Sequence, residues 1–305
     1  MRLLFTPGVR VALVSADPSP ATLALAAARA HGVDLVPMRP VEALERLHGG
    51  DVAVGRLDVR PTLDGVEDGL WTLGVLAARG VTVLNPAGAL LAAHDKLLTA
   101  RLLRRAAVPH PRTWSVRGDR PPPPSIEPPA VVKPRHGSWG RSVALCTTRA
   151  ALDEELDRVR HETWYRAHGA ILQELVPPVG HDLRLVVAGH RVVGAVRRVA
   201  AAGEWRTNVA LGAERVAVTP PPAAIGLALA ATRALGTVLA GVDLLPTDQG
   251  FVVLEVNGAV EFTADYRPGG DVFHEAALEM GLAARAAVSD AGSDLDALDC
   301  DLTFT

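Results

Sequence analysis

The sequence predicts an α/β protein, with a parallel, doubly wound unit at the front of the chain and mixed α+β segments behind it. Three observations carry this expectation. Short apolar runs alternate with helical segments from Val9 to Leu84, at the spacing of repeated strand–helix–strand crossovers. Hairpin signals appear later, at Gly189-His190 and at Thr247-Asp-Gln-Gly250. The 305 residues, 49% of them hydrophobic, suffice for two or three packed subdomains.

The elements follow in order. Val9 to Ala16 is a buried-strand run that stops at Asp17-Pro-Ser-Pro20, where a helix over Ala21 to His31 starts and runs to Gly32. Val33 to Pro37 is a second strand, Val41 to Leu47 a second helix and Asp51 to Gly55 a third strand. A longer helix covers Val66 to Arg79, with Leu70, Leu73 and Leu76 on one side and Gly80 as its stop. Val81 to Leu84 completes the set. No GxGxxG follows the first strand, so this unit reads as a scaffold that presents substrate, not as a dinucleotide site.

Asn85-Pro86 ends that unit, and helices over Ala87 to Ala93 and Asp95 to Ala106 follow, the second capped by Asp95. Lys96 then sits in the first turn of a helix, where the dipole favours anions; the position makes sense if an anion is to arrive there. Arg117 to Pro129 holds six prolines and reads as a stiff connector. Val131-Val-Lys133-Pro is a buried strand, followed by the small-residue loop Arg135 to Arg141 and a returning strand over Ser142 to Cys146. A strand lysine beside a loop with free amides suits a phosphate. The GxxxxGK[ST] of a P-loop is absent.

A helix over Arg149 to Tyr165, a strand over Ala170 to Val176, a hairpin turning at Gly189-His190 and a strand-like run from Glu204 to Asn208 come next. After Pro220-Pro-Pro222 a helix covers Ala223 to Gly236, and a last helix covers His274 to Arg285. Residues 290–305 hold five aspartates and no base, and read as a disordered or edge segment.

Composition narrows the function classes. Of 31 basic residues only Lys96 and Lys133 are lysines, so 31 − 2 = 29 are arginines. Net charge is −3, and without the acidic tail the body is about +2, from 31 bases and 34 − 5 = 29 acids. With 4% aromatic residues, neither a basic face nor a stacking platform for nucleic acid is expected. Cys146 and Cys300 form no CxxC, and the ten histidines show no HxxxH or HExxH, which argues against zinc. No stretch is long and apolar enough to span a membrane and no leader pattern opens the chain, so the expected place is the cytoplasm.

The chemistry concentrates in Gly241 to Asn257. It reads as two strands, Gly241 to Pro246 and Phe251 to Asn257, around a three-residue loop with Gly250 in the left-handed position. That loop sets Thr247 opposite Phe251, and so Asp243 opposite Glu255. Asn257 shares the face of Glu255, about 6.6 Å further on. Two carboxylates about 4 Å apart repel by roughly 4 kcal/mol at an intermediate dielectric, so something positive must lie between them. An all-oxygen set suits a hard cation, Mg²⁺ first. The alternative is that Asp243 caps a strand and Glu255 pairs with an arginine.

In order and spacing these pieces resemble the ATP-grasp superfamily, and within it the RimK/LysX-type carboxylate–amine ligases. The resemblance rests on Asn85-Pro86, Asp95-Lys-Leu-Leu-Thr99, Val131-Val-Lys-Pro134, Gly137-Ser-Trp-Gly140, Gln173-Glu174, Asp182-Leu-Arg184, Arg206-Thr-Asn208, Gly241-Val-Asp243 and Glu255-Val-Asn257. It implies an ATP-grasp architecture. Residues 1–94 would be a parallel α/β pre-ATP-grasp domain, 95–170 a central subdomain with the phosphate loop, and 171–289 a subdomain with the metal site, the tail 290–305 standing apart.

The resemblance also implies roles. Lys96 and Lys133 would contact ATP phosphates, with His136, Gly137, Ser138, Trp139 and Gly140 closing over them. Gln173, Glu174 and Leu175 would lie at the hinge that holds adenine, and Asp182 near the ribose. Asp243, Glu255 and Asn257 would hold Mg²⁺, for which Mn²⁺ can substitute. Arg184, Arg206 and Asn208 would bind the substrate carboxylate and stabilise its phosphorylated form.

The implied reaction activates a carboxylate as an acyl phosphate, which an amine then converts to an amide. Asn257-Gly-Ala-Val-Glu-Phe262 is closer to the LysX side, where an amino acid amine is joined to the C-terminal glutamate of a small carrier protein or peptide. The segment Asp265-Tyr-Arg-Pro-Gly-Gly270 matches no part of the family pattern, and Arg267 within it is a further candidate carboxylate reader. Homodimers or homotetramers are the assemblies the resemblance suggests. Two other functions compete: phosphorylation of a small alcohol by the same site, and ATP binding without turnover.

Overall fold

The computed structural model describes residues 9–28, 30, 32–118 and 126–299. Strands and helices alternate at the start: β1 (Val9–Val14), α1 (Pro20–Ala27), β2 (Val33–Met38), α2 (Pro40–Arg46), β3 (Val52–Gly55), α3 (Leu70–Ala78) and β4 (Thr82–Leu84). The four strands form a parallel sheet in the order β2-β1-β3-β4, as the alternation predicts. Helix α1 starts where Ser19 accepts from the Thr22 N–H and Pro20 takes the first turn. Helix α3 begins at Leu70, not at Val66. Before it, Val59 and Val66 bridge, the Asp58 N–H donates to Glu67 at 2.9 Å, and Gly69 takes φ +124°, so those residues are already committed to a turn.

Helices α4 (Ala87–His94) and α5 (Lys96–Arg105) lead into a second sheet. Its strands are β5 (Thr113–Val116), β6 (Ala130–Pro134) and β7 (Ala144–Cys146), then, after α6 (Arg149–Val159) and α7 (Thr163–His168), β8 (Ala170–Glu174). They pair antiparallel in the order β5-β8-β6-β7. The single helix expected over 149–165 is two. Leu152, Leu156 and Val159 form one buried stripe, and Trp164 and Tyr165 enter the same core. On one continuous helix Trp164 would lie roughly 120° from Leu152, so the chain turns to bury both.

The third sheet is formed by β9 (His181–Ala188), β10 (Arg191–Val199), β11 (Glu214–Ala217) and, after α8 (Pro222–Leu235), β12 (Leu239–Thr247) and β13 (Gly250–Asn257). It is antiparallel, in the order β11-β10-β9-β12-β13. Residues 204–208 are not a strand. The Glu204 carboxylate accepts from the Trp205 and Arg206 N–H groups, both at 2.9 Å, which removes donors that a ladder would need. Helix α9 (Val272–Asp299) then packs on the first and third sheets through Ala276, Met280 and Ala284. The irregular tail expected from residue 290 is thus helical up to Asp299, because no proline interrupts the register there; residues 300–305 lie outside the described residues.

The β12–β13 hairpin reaches the expected pairing by another route. Thr247 pairs with Gly250 and Pro246 with Phe251, so the turn is one residue shorter than predicted. A bulge at Leu254 then restores the count, and Asp243 faces Glu255 after all.

The first and third sheets share one core, which joins Val11, Leu13 and Val54 to Val186, Leu239 and Val272. Asn85 fastens them. Fully buried at φ +48°, it donates to Leu239 O at 2.7 Å and accepts from the Val238 N–H at 2.6 Å. Among the described residues no helix is long and apolar enough to cross a membrane.

Candidate active site

A cleft of about 1010 Å³, its open mouth included, separates the second sheet from the third. On the side of the second sheet, the alternation of β6 carries Lys133 inward, 5% exposed, where its Nζ donates to Gln173 Oε1 at 2.7 Å. Gln173 is held in turn by donating to Thr113 Oγ1 at 2.9 Å. Burial, then repulsion from Lys96, lowers the Lys133 pKa to about 7. Lys96 opens α5, donates to the Gly137 carbonyl and stands 3.5 Å from Glu255. Asp95 sets this arrangement: it caps Leu97 and Leu98 and takes a two-pronged bond from Arg135, at 2.7 and 2.5 Å. The start of the Lys96 helix is thereby pinned to the end of the Lys133 strand.

The loop lies against the opposite wall. Trp139 and Gly140 have positive φ, and a Cβ on Gly140 would come within 2.7 Å of Asn208 Oδ1. Arg141 covers the Trp139 ring at 4.8 Å. Gly137, Ser138, Trp139 and Gly140 all line the cleft. His136, expected beside them, is turned inward: it is 4% exposed, packs edge-on against His168, and burial lowers its pKa to about 4.

At the hinge, the Glu174 side chain is taken by Arg112, whose N–H and Nε donate at 2.7 and 2.6 Å. The Glu174 N–H donates to Arg112 O, so of its backbone groups only the carbonyl remains for a ligand. Leu175 lines the cleft next to it.

The third sheet supplies the acids, and arginines meet them. Asp243, 1% exposed, accepts Nε and NH2 of Arg184, both at 2.6 Å, and NH2 of Arg198 at 2.8 Å. Burial alone would raise the Asp243 pKa, but the two guanidinium groups outweigh it and hold the carboxyl below its usual range. Asp182 is fully buried, lines the cleft and is bound by Arg198 and Thr207, so it positions Arg198. Glu255 is held only loosely, by Lys96 and by Arg184 at 3.9 Å, with the Asn257 amide donating to it at 3.3 Å. Among the described residues no three His, Cys, Asp or Glu side chains gather as a metal cluster. Two carboxylates and an amide oxygen nevertheless match a hard cation, and Glu255 is the member with unclaimed lone pairs.

Arg206 and Arg184, expected to await a substrate carboxylate, are already engaged. Glu204 takes Arg206 at 3.0 and 2.8 Å, and Arg206 NH1 donates to Gly140 O at 3.1 Å, so it fastens the loop. Arg184 is bound to Asp243, because the two face each other across β9 and β12.

A second chamber of about 700 Å³ meets the cleft at Ser138, Trp139, Arg198, Asn208 and Glu255. Asp58, Arg184, Arg215, Asn257, Glu261 and Tyr266 also line it. Asp58, Arg198, Arg215 and Tyr266 were not singled out from the sequence. Arg198 had a signal, as the charge of β10 at an inward position, where Arg191 and Arg197 point outward. Asp58 follows β3 at the carboxyl edge of a parallel sheet, where such folds bind ligands.

The model of the RimK-like ATP-grasp domain family matches residues 93–270. Several curated relatives are named "probable alpha-L-glutamate ligase". That from Xanthomonas oryzae is 34% identical over 216 residues, covering 68% of this chain and 70% of the relative. Those from Parasynechococcus marenigrum and Pectobacterium carotovorum are 33% and 36% identical over 60% and 58% of this chain. The matched region spans only 39% and 58% of their length. Among solved structures, a RimK domain ATP-grasp protein from Sphaerobacter thermophilus is 25% identical with a TM-score of 0.62, over 90% of this chain and 100% of that one. A D-alanine–D-alanine ligase from Bacillus anthracis complexed with ATP has a TM-score of 0.66 at 15% identity, over 93% and 99%, a likeness of fold alone.

Proposed function

The chain belongs to the RimK-like ATP-grasp family, and from that premise we propose that it is an ATP- and Mg²⁺-dependent ligase that joins a carboxylate to an amine. The observation that carries this reading is the imbalance of the cleft. Two lysines converge there, one buried with, among the described residues, only a neutral amide as its hydrogen-bond partner, opposite a loosely held Glu255. The ammonium groups suit a polyanion and the carboxylate suits a cation, and a metal–nucleotide offers both.

Lys96 and Lys133 would receive the phosphates under the loop 137–140, and the hinge at Glu174 and Leu175 the adenine. Glu255, Asn257 and Asp243 would hold Mg²⁺ or Mn²⁺, which supplies charge neutralisation on the phosphate oxygens when bound. A carboxylate oxygen attacks the γ-phosphorus as the bond to ADP breaks. The amine nitrogen then attacks the acyl carbon, phosphate leaves and the amine gives up a proton. No enzyme nucleophile is required, only positioning and charge. We take the amine to be an amino acid, and the carboxylate to be the C-terminal glutamate of a peptide or small carrier protein; the relatives' names support glutamate.

The test is ADP release from ATP and Mg²⁺ with L-glutamate and a glutamate-terminated peptide, with hydroxylamine added in parallel. Hydroxamate and amide are the expected products. A phosphorylated alcohol in place of hydroxamate would turn the reading to a kinase, and ATP binding with no ADP would leave a non-catalytic protein.

A further inference from the structure

The second chamber has charge of both signs, with the acids Asp58, Glu255 and Glu261 and the arginines Arg184, Arg198 and Arg215. The arginines are not equivalent. Arg184 is bound to Asp243, and Arg198 to Asp182 and Asp243. Arg206 and Arg267, the other candidates for a carboxylate, are bound to Glu204 and Glu275. Arg215 makes no hydrogen bond or ion pair within the described residues. It also stands directly opposite Arg198 across β10 and β11, and like charges in that position destabilise a sheet. Arg198 has two carboxylates to offset this, and Arg215 has none.

Tyr266 is the second, independent observation. It stands in the short turn Ala264–Tyr266 that follows β13, and it lines the same chamber. The ring is 3% exposed and packs edge-on against Phe262 at 6.2 Å. Its hydroxyl makes no hydrogen bond within the described residues. Burial, and to a lesser degree Asp243, raises the pKa of this phenol against the opposing arginines, so the hydroxyl stays a protonated donor. A free guanidinium and an unpaired phenol donor in one chamber form a receptor for a carboxylate.

Resting on the ligase reading above, we propose that Arg215 and Tyr266 together bind the carboxylate of the amine substrate, and so select an amine that carries its own carboxylate. The amine then points away from Arg215, toward Asp58 and the cleft at Glu255. This also gives the chamber its second sign of charge, since the ammonium group of an amino acid needs acids near it.

The experiment is calorimetric titration of the full chain, loaded with Mg²⁺ and an ATP analogue that cannot transfer its γ-phosphoryl group. The probes are the L-amino acids, each beside its α-amide. An amino acid that binds wild type should bind Arg215→Ala about tenfold more weakly, the scale of a hydrogen bond to a charged group. Arg215→Lys should recover part of the loss, and Tyr266→Phe should weaken binding less than Arg215→Ala does. The matching α-amide should bind wild type and Arg215→Ala alike. Equal binding of the acid by wild type and Arg215→Ala, equal binding of acid and amide by wild type, or no binding by any amino acid would each overturn the assignment. Failure of the ligase reading looks different: binding that depends on Arg215, with no ADP or hydroxamate formed from any carboxylate.

Discussion

The two walls of the cleft treat charge in opposite ways. On the third sheet, Asp182, Arg198, Asp243 and Arg184 neutralise one another in a buried chain of bidentate pairs. On the second sheet, Lys133 is just as deeply placed and, among the described residues, has only the Gln173 amide for a hydrogen-bond partner. The sequence marks Asp243 and Lys133 as equally chemical. Their surroundings separate them: Asp243 is neutralised by arginines of its own sheet, whereas Lys133 has a neutral partner and lines the cleft.

The sharpest way to break this contrast is Asp243→Asn, which strips Arg184 of its bidentate partner and leaves Arg198 with Asp182 alone. It should cost about 3 to 5 kcal/mol, the scale for breaking a buried pair, read as a fall in the urea midpoint. Lys133→Met should do the reverse. Its urea midpoint should hold or rise, while ADP release falls about 100-fold, as when one preorganised donor to a charged transition state is lost.

The same lysine gives a pH test. Its folded pKa of about 7 lies below the unfolded 10.5. Between those values the unfolded chain carries a proton that the folded chain lacks, so stability should rise with pH through that window. Urea midpoints across the window should show the slope in wild type and a flatter one in Lys133→Met. Two weaker effects concern the loop between the walls. Gly140→Ala puts a Cβ at φ +71° against Asn208, and should cost about 1 to 2 kcal/mol together with a higher KM for ATP. Glu204→Gln releases one side of Arg206 and should raise that KM only about threefold, as expected of an ion pair still open to solvent on one side.

Much of this was legible beforehand because it is local. Lys96 and Lys133 stand out as the sole lysines, and each is placed by its own element, a capped helix start and a buried strand. The parallel first sheet follows from strand–helix alternation. What could not be read joins distant parts of the chain. Arg184 reaches Asp243 across 59 positions, and Arg206 reaches Gly140 across 66. Both looked free in the sequence because their partners are set by sheet order. The split of 149–165 into two helices was hidden for a similar reason, since the core that claims Trp164 also contains Ile126 and Leu172.

The bulge at Leu254 has a consequence for how such a hairpin can change through descent. A turn lengthened by one residue, together with loss of the bulge, would leave the same two acids facing each other. Insertion and deletion at the tip can therefore be compensated seven residues or fewer away, with the chemistry untouched. Tip length alone is then a poor guide to whether two such chains align their carboxylates.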